Sequence, residues 1–204
     1  MTDVVKSETM TYRQQQAEAT KVRIAESARE LFAGEGYSVT SMESIAARAG
    51  VATRTVYAAF GAKREILNLI CERWLERAGA RPLAREVLSR PDAVSRLRGA
   101  AHWMTTLYAT DFDVALILDS AVDEDADTRA LLRGKLRGRN RVMDELIASV
   151  RDDLSIPLDD AQAIFRALGA TGVYGELVGT SGWSPDRFEA WLADTLVAQV
   201  MQNH

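Results

Sequence analysis

Residues 40–63, TSMESIAARAGVATRTVYAAFGAK, constrain the fold of this chain more than any other stretch. Thr40 and Glu43 have the spacing of a capping box, in which side-chain oxygens take up free amides at a helix start. Ile45, Ala46 and Ala49 follow at helical spacing on one face. Gly50 stands where so short a helix must stop and turn, and glycine enters the left-handed backbone region at little cost. Beyond Val51 the helical period resumes with Val56 and Phe60 inward. Thr53, Arg54, Thr55 and Tyr57 then occupy the remaining faces of a second helix of about two turns.

Two short helices joined by a tight turn, the first too small to stand alone, have the form of a helix-turn-helix, whose second helix fits the major groove of DNA. The side chains left on the surface suit that surface chemically. Arginine bonds guanine bidentately, and threonine bonds a base edge or touches a thymine methyl. Tyrosine, threonine and lysine reach phosphates, which fix register without reading sequence. The same pattern also fits an ordinary helical hairpin with a solvated polar face.

The chain is 204 residues long, enough for one or two compact units. Four prolines and a wealth of Ala, Leu, Arg and Glu favour helix throughout. No apolar run reaches the ~18 residues of a membrane span, and the first 16 residues lack a signal-type apolar core. The expected compartment is the cytoplasm. A single cysteine, Cys71, allows no internal disulfide and reads as a packed thiol. With two histidines beside it, no metal site or cofactor is expected. The net charge is −4, and the acidic excess lies beyond residue 80. A nearly neutral N-terminal part argues against bulk nucleic-acid binding and for specific docking with a modest salt dependence.

Leu31, Phe32, Gly36 and Tyr37, with Thr40, Ile45, Ala46, Ala49, Gly50 and Val51, and then Thr55, Val56, Tyr57, Phe60 and Lys63, are similar to the N-terminal signature of the TetR family of transcriptional regulators. The similarity runs over about residues 21–69. It implies an all-α, homodimeric, ligand-responsive protein that binds double-stranded DNA, most often as a repressor. Position by position, it implies that Thr40 and Ser41 start the supporting helix near phosphates and that Thr53, Arg54 and Thr55 face bases or backbone. Tyr57 and Lys63 are implied to bind phosphate. The chain differs from many relatives at Ala52, where serine is common, at Arg54, where glycine is common, and at Ala58 and Ala59. Base contacts therefore do not transfer directly, and Arg54 is the leading candidate for direct readout.

Residues 1–16 read as a polar tail, either plain disorder or a basic arm through Lys6 and Arg13. Residues 17–79 form the DNA-binding domain and 80–204 a helical effector-binding and dimerisation domain, about nine helices in all. A first helix spans 17–33. A bracing helix runs over 63–78, and in the family it passes ligand state to the DNA-binding heads. Gly79, Pro82 and Pro91 interrupt the chain next. A helix over 91–110 carries Val94, Leu97, Ala101, Met104 and Tyr108 inward, and a short one covers 112–122. Asp123, Glu124, Asp125 and Asp127 lack the spacing of a calcium loop and read as a helix start. The following helix, 126–151, holds Arg129, Arg133, Lys135, Arg137, Arg139 and Arg141 within 13 residues, read as a solvated face.

The last two helices are expected over 159–178 and from Ser184, a cap followed by Pro185. Ala167, Gly169, Ala170, Gly172, Gly175 and Gly179 put little bulk on the first and suit close backbone approach; with Leu168 beside Gly172, Gly175 and Gly179, and Trp191, Leu192 and Thr195 on the second, they mark the expected contact face. They form either an intramolecular core or a four-helix bundle with a second copy, and the family resemblance selects the dimer. Inward phase and aromatic or flexible character single out Trp74, Met104, Tyr108, Leu118, Met143 and Tyr174 as lining for a small hydrophobic or aromatic effector. His102, Trp103, Asn140 and Trp183 are second choices. No phosphate loop, nucleophile elbow or acid–base pair points to an enzyme. The alternative is a helical ligand-binding or interaction protein of the same fold that does not bind DNA specifically.

Overall fold

The computed structural model describes residues 11–122 and 125–201. Its regular structure consists of eleven α-helices, a 3-10 turn at Arg151–Asp153 and a π-helical turn at Gly175–Thr180. There is no strand among the described residues beyond an isolated bridge between Leu154 and Met201. The packing divides into two units, one ending at Ile70 and the other beginning at Cys71. Gly79 and Ala80, between which the domain boundary was expected, are the N-cap and the first residue of the helix Ala80–Leu88.

The first unit contains α1 (Tyr12–Gly34), α2 (Met42–Ala49), α3 (Thr53–Phe60) and the start of α4 (Lys63–Arg77). Helix α1 begins earlier than its apolar pattern suggests. Thr11 and Gln14 form a reciprocal capping box, the Thr11 amide donating to Gln14 Oε1 at 2.7 Å, so residues 12–16 are helix rather than tail. The rest of the expected tail, with Lys6, lies outside the described residues.

Helix α2 is also capped one residue later than expected. Ser41 Oγ accepts from the Ser44 amide and Ser44 Oγ from the Ser41 amide, each at 3.0 Å. Thr40 is buried, and its hydroxyl donates to the Gly36 carbonyl at 2.8 Å, closing the turn before the helix. Gly50 ends α2 at φ 64°, ψ 38°, the left-handed conformation that a side chain would disfavour. Ile24, Ala28, Ile45, Val56, Ile66 and Leu67 are sealed from solvent at the centre. Each fully buried aliphatic chain of this size contributes about 1.5–3 kcal/mol. Phe60, expected inward beside Val56, is only half-buried.

In the second unit, α5 (Ala80–Leu88) occupies the stretch expected to be interrupted. Pro82 falls in its first turn, where no intrahelical amide is needed, so the proline does not break it. Helices α6 (Ala93–Thr110) and α11 (Pro185–Val200) pack on each other, and α7 (Phe112–Ser120) and α8 (Ala126–Ala148) complete the centre. Asp125 caps α8, accepting from the Asp127 and Thr128 amides at 2.9 and 2.8 Å; Asp123 and Glu124 lie outside the described residues. Val94, expected on the inner stripe of α6, is 38% exposed.

The helix expected over 159–178 is divided into α9 (Leu158–Leu168), α10 (Thr171–Tyr174) and the π-helical turn. The break falls at Gly169, which is tightly packed. A Cβ there would lie 3.0 Å from Met143 Cε and 3.1 Å from Met104 Cε, tighter than ordinary contact. The freed Gly169 carbonyl accepts from the Tyr108 hydroxyl at 2.7 Å. This break and the unexpected α5 are why eleven helices rather than nine occur among the described residues.

Candidate nucleic-acid interface and a cavity in the second unit

Helix α3 presents its polar residues outward from the Val56 anchor. Arg54 is exposed, Tyr57 is 48% exposed, and Thr53 and Thr55 are half-buried. Ala52 is the N-cap and supplies no side-chain bond; the Thr55 amide donates to the Ala52 carbonyl at 2.8 Å, and the amides of Thr53 and Arg54 lie at the positive end of the helix dipole. Ser41 is exposed at the start of α2 with its hydroxyl in the capping box.

Two residues expected at phosphates are engaged elsewhere. The Thr40 hydroxyl is buried as described. Lys63 Nζ donates to the carbonyls of Tyr37 at 2.6 Å and Thr40 at 3.1 Å, and it sits 4.2 Å from the centre of the Tyr37 ring. A cation bonded to main-chain carbonyls and stacked on an aromatic face fixes the 37–40 turn against the start of α4. In this DNA-free chain its Nζ is held by the main chain of its own unit.

The second unit contains a cavity of about 620 Å³. Its walls come from the end of α4, from α5 to α8, and from Thr171. Trp74 and Leu118 line it as expected, as does the second choice Trp103. Both indole N–H groups are satisfied, Trp74 by the Leu107 carbonyl at 2.7 Å and Trp103 by the Ala80 carbonyl at 2.8 Å. Met104, Tyr108, Met143 and Tyr174 do not line it. The two methionines fill the space at Gly169, and Tyr108 and Tyr174 stack with Phe112 at centroid distances of 5.6 and 4.8 Å. Inward phase placed them in the core without distinguishing a filled interior from an open one.

The lining missed by sequence reasoning is charged. Leu132, Lys135, Leu136, Arg139 and Val142 recur at helical spacing on one face of α8, and all face the cavity, with Arg133 beside them. That recurrence is readable in the sequence, and it places Arg133, Lys135 and Arg139 at the cavity rather than on a wholly solvated face. Lys135 is paired with Glu72. Arg139 Nη1 donates to the Tyr108 hydroxyl at 3.2 Å, while its Nε is buried without a partner. Cys71 also lines the cavity, and burial pushes its thiol up to about 11, so it is a neutral apolar wall at physiological pH. His102 lies elsewhere, 3.0 Å from Glu189.

Of the residues expected at a dimer contact, Leu192 is sealed in this chain's own core and Gly175 lies 3.3 Å (as a built Cβ) from the Phe112 ring. Gly172 and Gly179 are exposed with nothing near them, and Leu168, Trp191 and Thr195 are half-buried. No group of three or more metal-ligating side chains occurs among the described residues, and no helix there is long and apolar enough to cross a membrane.

Residues 24–70 match the model of the bacterial regulatory proteins of the tetR family. The match covers the helix-turn-helix unit. The fold of the chain is shared with solved regulators at low identity. NalD of Pseudomonas aeruginosa, the secondary repressor of the MexAB-OprM multidrug efflux pump, is 21% identical over 93% of this chain and 100% of that one, with a TM-score of 0.72. FadR of Bacillus subtilis, solved with stearoyl-CoA, is 18% identical over 87% of this chain and 97% of that one, with a TM-score of 0.70. A regulator from Aquifex aeolicus is 20% identical over 88% and 98%, with a TM-score of 0.68. No curated protein matches the chain.

Proposed function

We propose that this protein is a sequence-specific DNA-binding transcriptional regulator, a cytoplasmic repressor that leaves a palindromic operator when a small molecule occupies the cavity of its second unit. The observation that carries the reading is α3, whose exposed Arg54 and Tyr57 and uncapped amides stand on a tetR-type helix-turn-helix. Arg54 reads a base edge, Tyr57 and the first amides of α3 take phosphates, and Thr53, Thr55 and Ser41 adjoin the backbone. Thr40 and Lys63 hold the turn that positions α2 instead.

The protein acts as a homodimer, so that two copies of α3 meet two half-sites about one helical turn of DNA apart or more. Gly172, Gly179, Leu168, Trp191 and Thr195 remain accessible for pairing, whereas Leu192 does not. A bulky residue at Gly172 should yield monomers in sedimentation. The neighbours supply support for the control step: NalD is a repressor and FadR was solved with stearoyl-CoA. An effector that prefers the DNA-free form lowers operator affinity by the same factor that DNA lowers effector affinity. The protein is not an enzyme in this reading.

The test is selection of bound duplexes from fragmented genomic DNA at two salt concentrations. Enrichment of one inverted repeat that survives the higher salt is expected. Weak, salt-sensitive binding with no enriched sequence would instead favour a protein of the same fold that works through its second unit alone.

A further inference from the structure

The cavity has a polarity that its size alone does not disclose. Trp74, Trp103, Leu107 and Leu118 make it predominantly apolar, yet four basic side chains and two acidic ones reach it. The acids do not balance the bases where it matters. Glu72 is taken by Lys135, and Asp119 is exposed. Arg139 Nη1 donates to the Tyr108 hydroxyl, a neutral group, and its Nε is buried without a partner. A guanidinium drawn out of water without a counter-charge is costly, and an anion relieves that cost.

We infer that the cavity takes an amphipathic organic anion, with its carboxylate on Arg139 and its apolar body between Trp74, Trp103 and Leu118. The planar guanidinium offers paired donors to a carboxylate, and it is the guanidinium of Arg139 that reaches the wall. The Thr171 hydroxyl, also on the wall, lies 3.4 Å from the Tyr108 hydroxyl and can complete the head-group site. The same bonds connect that site to the α9–α10 break: Arg139 donates to Tyr108, and Tyr108 donates to the Gly169 carbonyl. A carboxylate that draws Arg139 toward itself competes with the first of these bonds, and so acts on the segment where the C-terminal helices change direction. The inference rests on the reading of this cavity as the effector site only for its regulatory meaning; binding itself is measured without DNA, so the two can fail separately.

The experiment is isothermal titration of the full chain with three probes of one length, decanoate, decanol and decyltrimethylammonium, each below its micellar concentration. Decanoate is expected to bind about tenfold or more tighter than decanol, with the cation weakest. Arg139→Gln should bring decanoate to the level of decanol and leave decanol unchanged, whereas Arg139→Lys should keep part of the preference. Leu118→Trp, which fills the apolar end, should weaken all binding. Equal or tighter binding of decanol or of the cation overturns the inference, as does failure of decanoate to bind. An undiminished preference in Arg139→Gln does so as well. Should that variant not fold, the probe series and Arg139→Lys decide the matter.

Discussion

Lys63 in the first unit and Arg139 in the second are both half-buried cations, and their surroundings are opposite. Lys63 is enclosed by carbonyls and an aromatic face, and its charge stabilises a turn. Arg139 faces open volume with a buried donor unused. The first unit engages such polar groups internally and leaves its function to one exposed helix face. The second leaves a cation unengaged beside a space that a ligand can fill. A charged residue at a site is therefore informative only together with what already holds it.

Replacing each cation with an isosteric apolar residue breaks or sharpens this contrast. Lys63→Met should destabilise the first unit most, by about 2–4 kcal/mol, because two strong bonds and carbonyl satisfaction are lost together. Urea unfolding reads this, and the salt dependence of DNA binding should keep its slope; a slope smaller by about one would return Lys63 to the phosphates. Gly99→Ala comes next, at about 1–3 kcal/mol, since a Cβ there would meet Val87 Cγ1 at 2.8 Å and Arg90 Nη1 at 2.7 Å. It would show the α5–α6 contact to be tight where the cavity is loose. Ala52→Ser should stabilise the first unit by about 0.5–1 kcal/mol in the same assay by capping α3. Arg139→Met should have the smallest effect, within about 0.5 kcal/mol, because the bond it removes is offset by relief of a buried, unpaired charge. A loss as large as that from Lys63→Met would show that Arg139 is structural and dissolve the contrast.

The helix-turn-helix was legible because its signals are local. Gly50 must turn, Val56 must face in, and the polar residues of α3 must then face out. Local signals also exist where the sequence reading went astray, and there they were ambiguous between neighbours. Thr40 and Ser41 both precede α2 with an acceptor three residues on, and only the packing of the 36–40 turn decides that Ser41 caps and Thr40 is buried. Pro82 reads as a break unless the helix is known to begin at Ala80. The cavity was the least legible feature. Periodicity identifies an inward face, but whether Met143 or Arg139 meets empty space depends on how α9 breaks at Gly169, a contact between residues far apart in the chain.

The central claim is that α3 reads DNA through Arg54 and Tyr57, and fluorescence anisotropy tests it most directly. A duplex from the genomic selection and a scrambled duplex of equal length would each be titrated with the wild-type protein and with the Arg54→Ala, Tyr57→Ala double variant, checked to unfold at the same urea concentration. The account predicts that the variant loses about 30-fold or more in affinity for the selected duplex while its binding to the scrambled one falls far less. A double variant that keeps the wild-type preference for the selected sequence would contradict it.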